Sequence, residues 1–329
     1  MKSIQSFIGG RAENQDFYGN AQTQFGELII VCDGMGGHNG GRHAAEVAVQ
    51  TILDDISKNK DKNPESALKS AIEKANKVIW EESQTNRSLK GMGTTIVALL
   101  LTPENAISCH VGDSRIYQVR NGEILFRTFD HSHVFEMVKA GLITEEQARL
   151  SEKSNIITRA LGIRPTVEID ITDNLSYQKG DRFLLCTDGI CGAIPESELV
   201  QLITLKGNVE TVVSNLVTNV DAIGVAKGNK HDNLTGALIE IETSSSFKQV
   251  ESKKLITSPK QPKSRVKQLI FLLLIALIGS LALNVYFLTE KEPEIKKTEK
   301  KIIKKHIHNV IPQISDTIPT NTPDKNENN

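Results

Sequence analysis

Four aspartates stand where a chain tolerates carboxylates least, at or beside the ends of apolar, strand-like runs. The runs read LIIVCDG up to Asp33, ISCHVGDS around Asp113, RFLLCTDG around Asp188, and the polar DNLT of Asp232 before GALIEI. One such residue is ordinary, because aspartate favours the turn after a strand. Four in one domain suggest strand ends that converge on something cationic. Carboxylates brought together repel one another, and loss of water makes the repulsion worse. Hard divalent cations, which take oxygen ligands, resolve that conflict.

The strand-like stretches are 27–32, 94–101, 106–111, 115–120, 123–127, 182–187 and 236–241. RIYQVR and EILFRT are joined by Asn121-Gly122, a strong hairpin signal. Apolar residues at helical spacing predict helices over about 42–56 and 65–84, and a third near 209–221. Strands follow one another rather than alternating with helices. This predicts an α+β chain with antiparallel sheets and helices packed outside, not a doubly wound parallel sheet. Residues 133–155 break the pattern and carry a capping box from Thr144 to Gln147. They read either as a substrate flap or as a plain surface insertion. Cys32, Cys109, Cys186 and Cys191 form no CxxC pair, and three of them lie in apolar runs. That usage indicates a reducing compartment without a disulfide frame.

The domain expected from these signals spans 1–243. A linker rich in Ser, Lys and Pro follows over 244–267. Residues 268–288 read as a transmembrane helix: the uncharged run LIFLLLIALIGSLALNVYFL fills 269–288, long enough for the hydrocarbon core of a bilayer. A charged tail over 289–329 is too poor in apolar residues to fold alone. Lysines flank the apolar run on both sides, so loop charge does not settle its orientation. The N-terminal MKSIQSFIGGRAENQD has no apolar core of a secretory signal. With the unpaired cysteines, this favours a single-pass membrane protein whose N-terminal domain is cytoplasmic. A formal net charge of −1 gives no general attraction to nucleic acid.

In order, the polar landmarks are Arg11-Ala-Glu-Asn-Gln-Asp16, Asp33-Gly-Met-Gly-Gly-His, Gly93-Thr-Thr, Val111-Gly-Asp-Ser-Arg115, Asp130-His-Ser, Thr158-Arg-Ala-Leu-Gly162, Cys186-Thr-Asp-Gly189 and Asp232-Asn-Leu-Thr235. Each is weak alone. In this order they resemble the bacterial metal-dependent serine/threonine protein phosphatases of the PPM family (protein phosphatase 2C type), over about residues 7–241. The resemblance implies two antiparallel sheets stacked face to face between helices, with Mn²⁺ or Mg²⁺ in a cleft at one end. It implies that Asp33 bridges two ions and that the Gly34 carbonyl ligates the second. Asp188 and Asp232 complete the first, and Asp16 holds metal-bound waters. Arg11 grips the phosphate, and Asp113 joins Asp188 at a third ion. The implied substrates are phosphorylated proteins, and the implied partner is a cognate serine/threonine kinase.

Two positions depart from the animal-type pattern. Met35 stands where those enzymes carry a histidine proposed as general acid, and Gln15 stands where a glutamate helps to hold a metal through water. A second reading takes these as signs of decay into a catalytically weak phosphoprotein-binding module at the membrane. Cys109-His-Val-Gly-Asp-Ser-Arg115 fits the C-x5-R spacing of cysteine-dependent phosphatases. It fails on chemistry, because Arg115 opens an alternating strand instead of a helix N-terminus that cradles phosphate. Asp113 would also set a negative charge inside the cradle. A covalent aspartyl phosphatase using Asp33 or Asp188 is disfavoured because no DxDx[TV] arrangement occurs. His38 reads as a solvated turn residue, His131 as a loop-structuring residue, Arg159 as a carboxylate partner, and Thr94 and Thr95 as structural.

Overall fold

The structure is a computed structural model that describes residues 1–60 and 62–245. The linker, the apolar run 269–288 and the tail lie outside the described residues. No helix among the described residues is long and apolar enough to cross a membrane.

Eleven strands and seven α-helices occupy the described residues. The strands are β1 (Lys2–Phe7), β2 (Asp16–Gln22), β3 (Glu27–Met35), β4 (Gly93–Thr94), β5 (Ile96–Leu101), β6 (Ala106–Val111), β7 (Arg115–Arg120), β8 (Glu123–Arg127), β9 (Asp170–Leu175), β10 (Arg182–Cys186) and β11 (Leu234–Glu240). The helices are α1 (Gly37–Lys58), α2 (Pro64–Thr85), α3 (His133–Lys139), α4 (Glu145–Arg149), α5 (Asp188–Cys191), α6 (Glu196–Ile203) and α7 (Val209–Ala226). One sheet runs β1-β11-β10-β7-β8. The other runs β2-β3-β5-β6-β9, with β4 paired to β3. Every pairing is antiparallel. The expected α+β architecture of two stacked antiparallel sheets between helices holds for the described residues.

Alternation along the strands explains the layers. In β3, Leu28, Ile30 and Cys32 pack with α1 and α2 in one core, while Ile29 and Val31 meet Phe183, Leu185, Ala237 and Ile239 of the other sheet. In β10 and β11, Leu184, Cys186, Leu234 and Leu238 turn the other way, against residues of α5, α6 and α7. Successive side chains point to opposite faces. Asp33 therefore continues the row of Ile29 and Val31, between the sheets, at the point where the apolar filling stops.

The three long helices begin slightly earlier or run further than their apolar periodicity. α2 starts at Pro64 behind Asn63, whose side chain accepts from the Ser66 amide; α7 starts behind Asn208, which accepts from Thr211. The Asn121-Gly122 turn has φ of 52° and 81°, the doubly positive geometry of a type I′ hairpin. The excursion over 133–155 contains α3 and α4 around a small core of Val134, Val138, Ile143 and Ala148, and the Thr144–Gln147 capping box is formed in both directions. Arg127 of β8 ties it down by ion pairs to Glu145 at 2.5 Å and to Glu196 of α6 at 2.9 Å.

Three strands are absent from the sequence expectation: β1, β2 and β9. All are sheet edges. The short helices α5 and α6 were likewise not anticipated.

Candidate active site

Asp16 opens β2 and Asp33 lies near the end of β3, and the two are direct partners in the antiparallel register. Like charges directly opposite on neighbouring strands destabilise a sheet. Asp188 stands at the first position of α5, immediately after β10, close enough to Asp33 that its charge raises the Asp33 carboxyl. Asp113 follows β6 and is buried with only 6% exposure. Asp232 precedes β11; its Oδ1 accepts from the Asn233 amide at 2.8 Å and its Oδ2 from Arg11 Nη2 at 2.6 Å. The structure thus brings Asp16, Asp33, Asp188, Asp113 and Asp232 to one end of the inter-sheet space, with Arg11 half-exposed beside them.

Local interactions fix each member. The Asp33 amide donates to Thr95 Oγ1 (3.0 Å), and the Asp33 carbonyl accepts from Thr94 Oγ1 (2.9 Å) and the Thr95 amide (2.8 Å). Thr95 Oγ1 also pairs with Ser114 Oγ at 2.8 Å, next to Asp113. Asp16 Oδ2 accepts from Thr187 Oγ1 at 3.0 Å. Arg42 of α1 donates Nη1 to the carbonyls of Asn14 and Asp16, each at 3.1 Å, and lies 4.7 Å above the Phe17 ring. Asn233 accepts from the Gln15 amide and donates to the carbonyls of Ile8 and Glu13. Thr94 and Thr95 are structural, as expected, but what they structure is the site. Thr187, Arg42 and Asn233 were missed as supports. Thr187 and Asn233 had a signal, since each adjoins a candidate aspartate. Arg42 had none.

Gly34 has no room for a side chain. A Cβ there would lie 2.1 Å from the Gly41 carbonyl oxygen and 2.7 Å from that of Gln15. The glycine lets α1 lie directly against the end of β3. At Gly189, likewise, a Cβ would lie 2.0 Å from the Asn233 carbonyl oxygen, so the Asp188 and Asp232 segments meet backbone to backbone.

The electrostatics are strained. Burial pushes Asp16 up to about 7 and Asp188 up to about 6, with repulsion from neighbouring aspartates adding to both. Asp33 and Asp113 are also raised well above the ordinary carboxylate range, first by burial and then by Asp188 and other acidic neighbours. Asp16 Oδ1 and Asp188 Oδ1 are buried without a hydrogen-bond partner. Orphaned buried oxygens on repelling carboxylates are what a bound cation satisfies. The all-oxygen donor set suits Mn²⁺ or Mg²⁺.

The remaining candidates fall elsewhere. The side chain of His38 lies outside the described residues. Cys109 is buried in β6 with its thiol pushed above the ordinary range by burial, and Arg115 forms a forked pair with Asp130 at 2.7 Å on both arms. The cysteine-phosphatase reading therefore has neither an available nucleophile nor a free arginine. Arg159 pairs with Asp170 (2.7 Å) and Glu168 (3.0 Å), as expected.

His110, His131 and Asp170 form a separate group of possible metal ligands, with donor atoms within 4.8 Å of one another. Their bonding argues against an ion. His131 Nδ1 accepts from the Gly112 amide at 3.2 Å, which assigns its proton to Nε2. His110 Nε2 faces the Phe129 carbonyl at 2.9 Å and must donate to it. The rings stack at 4.5 Å, and the Arg159 guanidinium already occupies Asp170. Burial holds both histidines neutral, lowering His131 to about 4.

A two-sheet sandwich between helices, with carboxylates gathered at one end of the inter-sheet space, defines the architecture of a metal-dependent phosphatase. Residues 5–221 match the family model for protein phosphatase 2C, and the chain belongs to that family. It is 33% identical over 235 residues to the serine/threonine phosphatase stp of Listeria monocytogenes, covering 70% of this chain and 91% of that one. The structure of the S. agalactiae serine/threonine phosphatase superposes with a TM-score of 0.65 at 34% identity, over 74% of this chain and 99% of that one. The catalytic domain of the serine/threonine protein phosphatase PstP, in complex with 2 manganese ions, superposes with a TM-score of 0.62 at 26% identity, over 74% and 98%.

Proposed function

We propose that this chain is a protein serine/threonine phosphatase that removes phosphate from phosphoserine and phosphothreonine, with Mn²⁺ or Mg²⁺ as cofactors. One observation carries the reading: Asp33 faces Asp16 across the sheet and lies within the repulsive field of Asp188, while an oxygen of each of those two neighbours is buried and unpaired among the described residues. Asp33, Asp188 and Asp232, with the Gly34 carbonyl, would hold two ions, Asp16 would stand beside them, and Asp113 with Asp188 would hold a third. Such ions, when bound, supply a water nucleophile at neutral pH and offset charge on the phosphoryl oxygens.

The chain's own residues do the positioning. Thr94 and Thr95 pin the backbone of Asp33, and Thr187 aims Asp16. Arg11 is 53% exposed and, among the described residues, paired with Asp232, so its fork can turn to two phosphate oxygens when substrate arrives. Met35 has no proton to give, so the departing Ser or Thr oxygen takes its proton from water or another group. The purified chain should hydrolyse a phosphorylated test protein only with Mn²⁺ or Mg²⁺. Activity that survives both chelation and Asp33→Asn would overturn the assignment.

The apolar run 269–288 supports a second proposal, that the catalytic domain of 1–243 is tethered on the cytoplasmic side of a membrane, where a serine/threonine kinase supplies its substrates. Cell fractionation tests it. The full chain should sediment with membranes, and a chain truncated before residue 268 should not; co-fractionation of both forms would end this reading.

A further inference from the structure

The Asp130-His131 step is an unabsorbed part of the sequence pattern, and neither residue belongs to the aspartate group. Both grip the segment that carries Asp113. The His131 amide donates to the Gly112 carbonyl at 2.9 Å, and the Gly112 amide donates back to His131 Nδ1 at 3.2 Å. Three residues further along, Arg115 is held by both oxygens of Asp130. Gly112 itself has φ of 107°, a conformation that residues with a Cβ rarely adopt, and a Cβ there would lie 2.6 Å from Thr95 Cγ2. Gly112 thus has both its amide and its carbonyl taken up by one residue, which fixes the peptide groups on either side of its Cα. That residue is buried, stacked on His110, and fixed further by the Thr158 amide on its carbonyl at 2.7 Å.

We propose that His131 is a positioning residue for Asp113: its imidazole, accepting at Nδ1, holds the Val111–Gly112 peptide while its backbone amide holds the Gly112–Asp113 peptide, and together they set the turn at Gly112 and so the aim of the Asp113 carboxylate. This rests on the assignment of Asp113 to a third ion. It explains why two histidines and a carboxylate lie together without offering a metal site. Nε2 lies 3.4 Å from Asp170 Oδ2 and 3.2 Å from Arg159 Nη1, which itself donates to Asp170, while Nδ1 accepts from the backbone. The ring acts on the site through one amide and never touches substrate.

The test counts ions directly on the full-length chain, by titrating Mn²⁺ and following free Mn²⁺ by electron paramagnetic resonance. Wild type should show tightly held ions and one weaker ion, and Asp113→Asn should lose only the weaker one. His131→Phe removes the acceptor and should weaken that ion at least tenfold while leaving the tight ions unchanged. His131→Asn places an oxygen near the Nδ1 position and should restore the weaker ion to within threefold of wild type. If Asp113→Asn loses the ion but His131→Phe keeps it, the positioning role is wrong and the Asp113 assignment stands. If Asp113→Asn keeps every ion, the assignment itself falls and the inference falls with it. Loss of tight and weak ions together in His131→Phe, or no recovery in His131→Asn, also overturns the role, since a purely structural histidine predicts either.

Discussion

The aspartate group should make the metal-free protein less stable than its sequence permits, and Asp188→Asn isolates the effect. Asp188 is raised from 3.8 to about 6 by burial and by Asp232. A folded-state value above the unfolded one means that the folded chain holds more protons between the two. Stability therefore falls as pH rises from about 4 through 6, and the loss is complete above that. Two pK units correspond to about 3 kcal/mol at neutral pH. Asparagine carries no charge, keeps an oxygen for the Gly189 amide and fits the same space. In chelator at pH 7.5, Asp188→Asn should then stabilise the chain by about 2–3 kcal/mol, a rise in Tm of roughly 4–12 °C for a domain of this size. At pH 4 the two proteins should melt together. With Mn²⁺ the order should reverse, because wild type gains binding energy that the variant has lost. Thermal melts by circular dichroism at both pH values, with chelator or Mn²⁺, measure all four cases. If Asp188→Asn melts below wild type in chelator at pH 7.5, the carboxylates are not in conflict and the argument for a cation site loses its base.

Other substitutions probe separate links. Gly34→Ala drives a methyl to within 2.1 Å of the Gly41 oxygen, so it should cost about 1–3 kcal/mol in urea melts and abolish phosphatase activity by moving α1 off β3. Cys109→Ala should retain activity, since the thiol is buried in a strand and Arg115 is engaged; its loss, without a loss of stability, would reopen the cysteine chemistry. Asp181 is fully buried, with both oxygens on the Arg120 guanidinium and one also on Gln118. Asp181→Ala should therefore destabilise by about 3–5 kcal/mol, measured by urea denaturation, with metal affinity unchanged.

The sequence by itself located the inner strands and the long helices, because these bury whole faces and the periods of two and 3.6 survive in the apolar pattern. It also located the hairpin at Asn121-Gly122, since positive φ at two successive residues leaves few choices of residue. β1, β2 and β9 were invisible for the opposite reason. Each is an edge strand that buries only part of itself, so DFYGNAQ carries little alternation and pairs because β3 offers it a free row of backbone groups. The aspartates were legible as residues in costly places, and the family resemblance gave them expected roles. Their meeting was a matter of tertiary structure. Asp16 faces Asp33 because β2 adds to β3 in that register, and Asp188 reaches both because the second sheet stacks on the first. The supports from Thr187, Arg42, Asn233 and His131 span separations of up to 225 residues, which no local pattern encodes. Side-chain chemistry is written along the chain, but the field that makes those carboxylates need a cation exists only once the fold has removed their water and set them side by side.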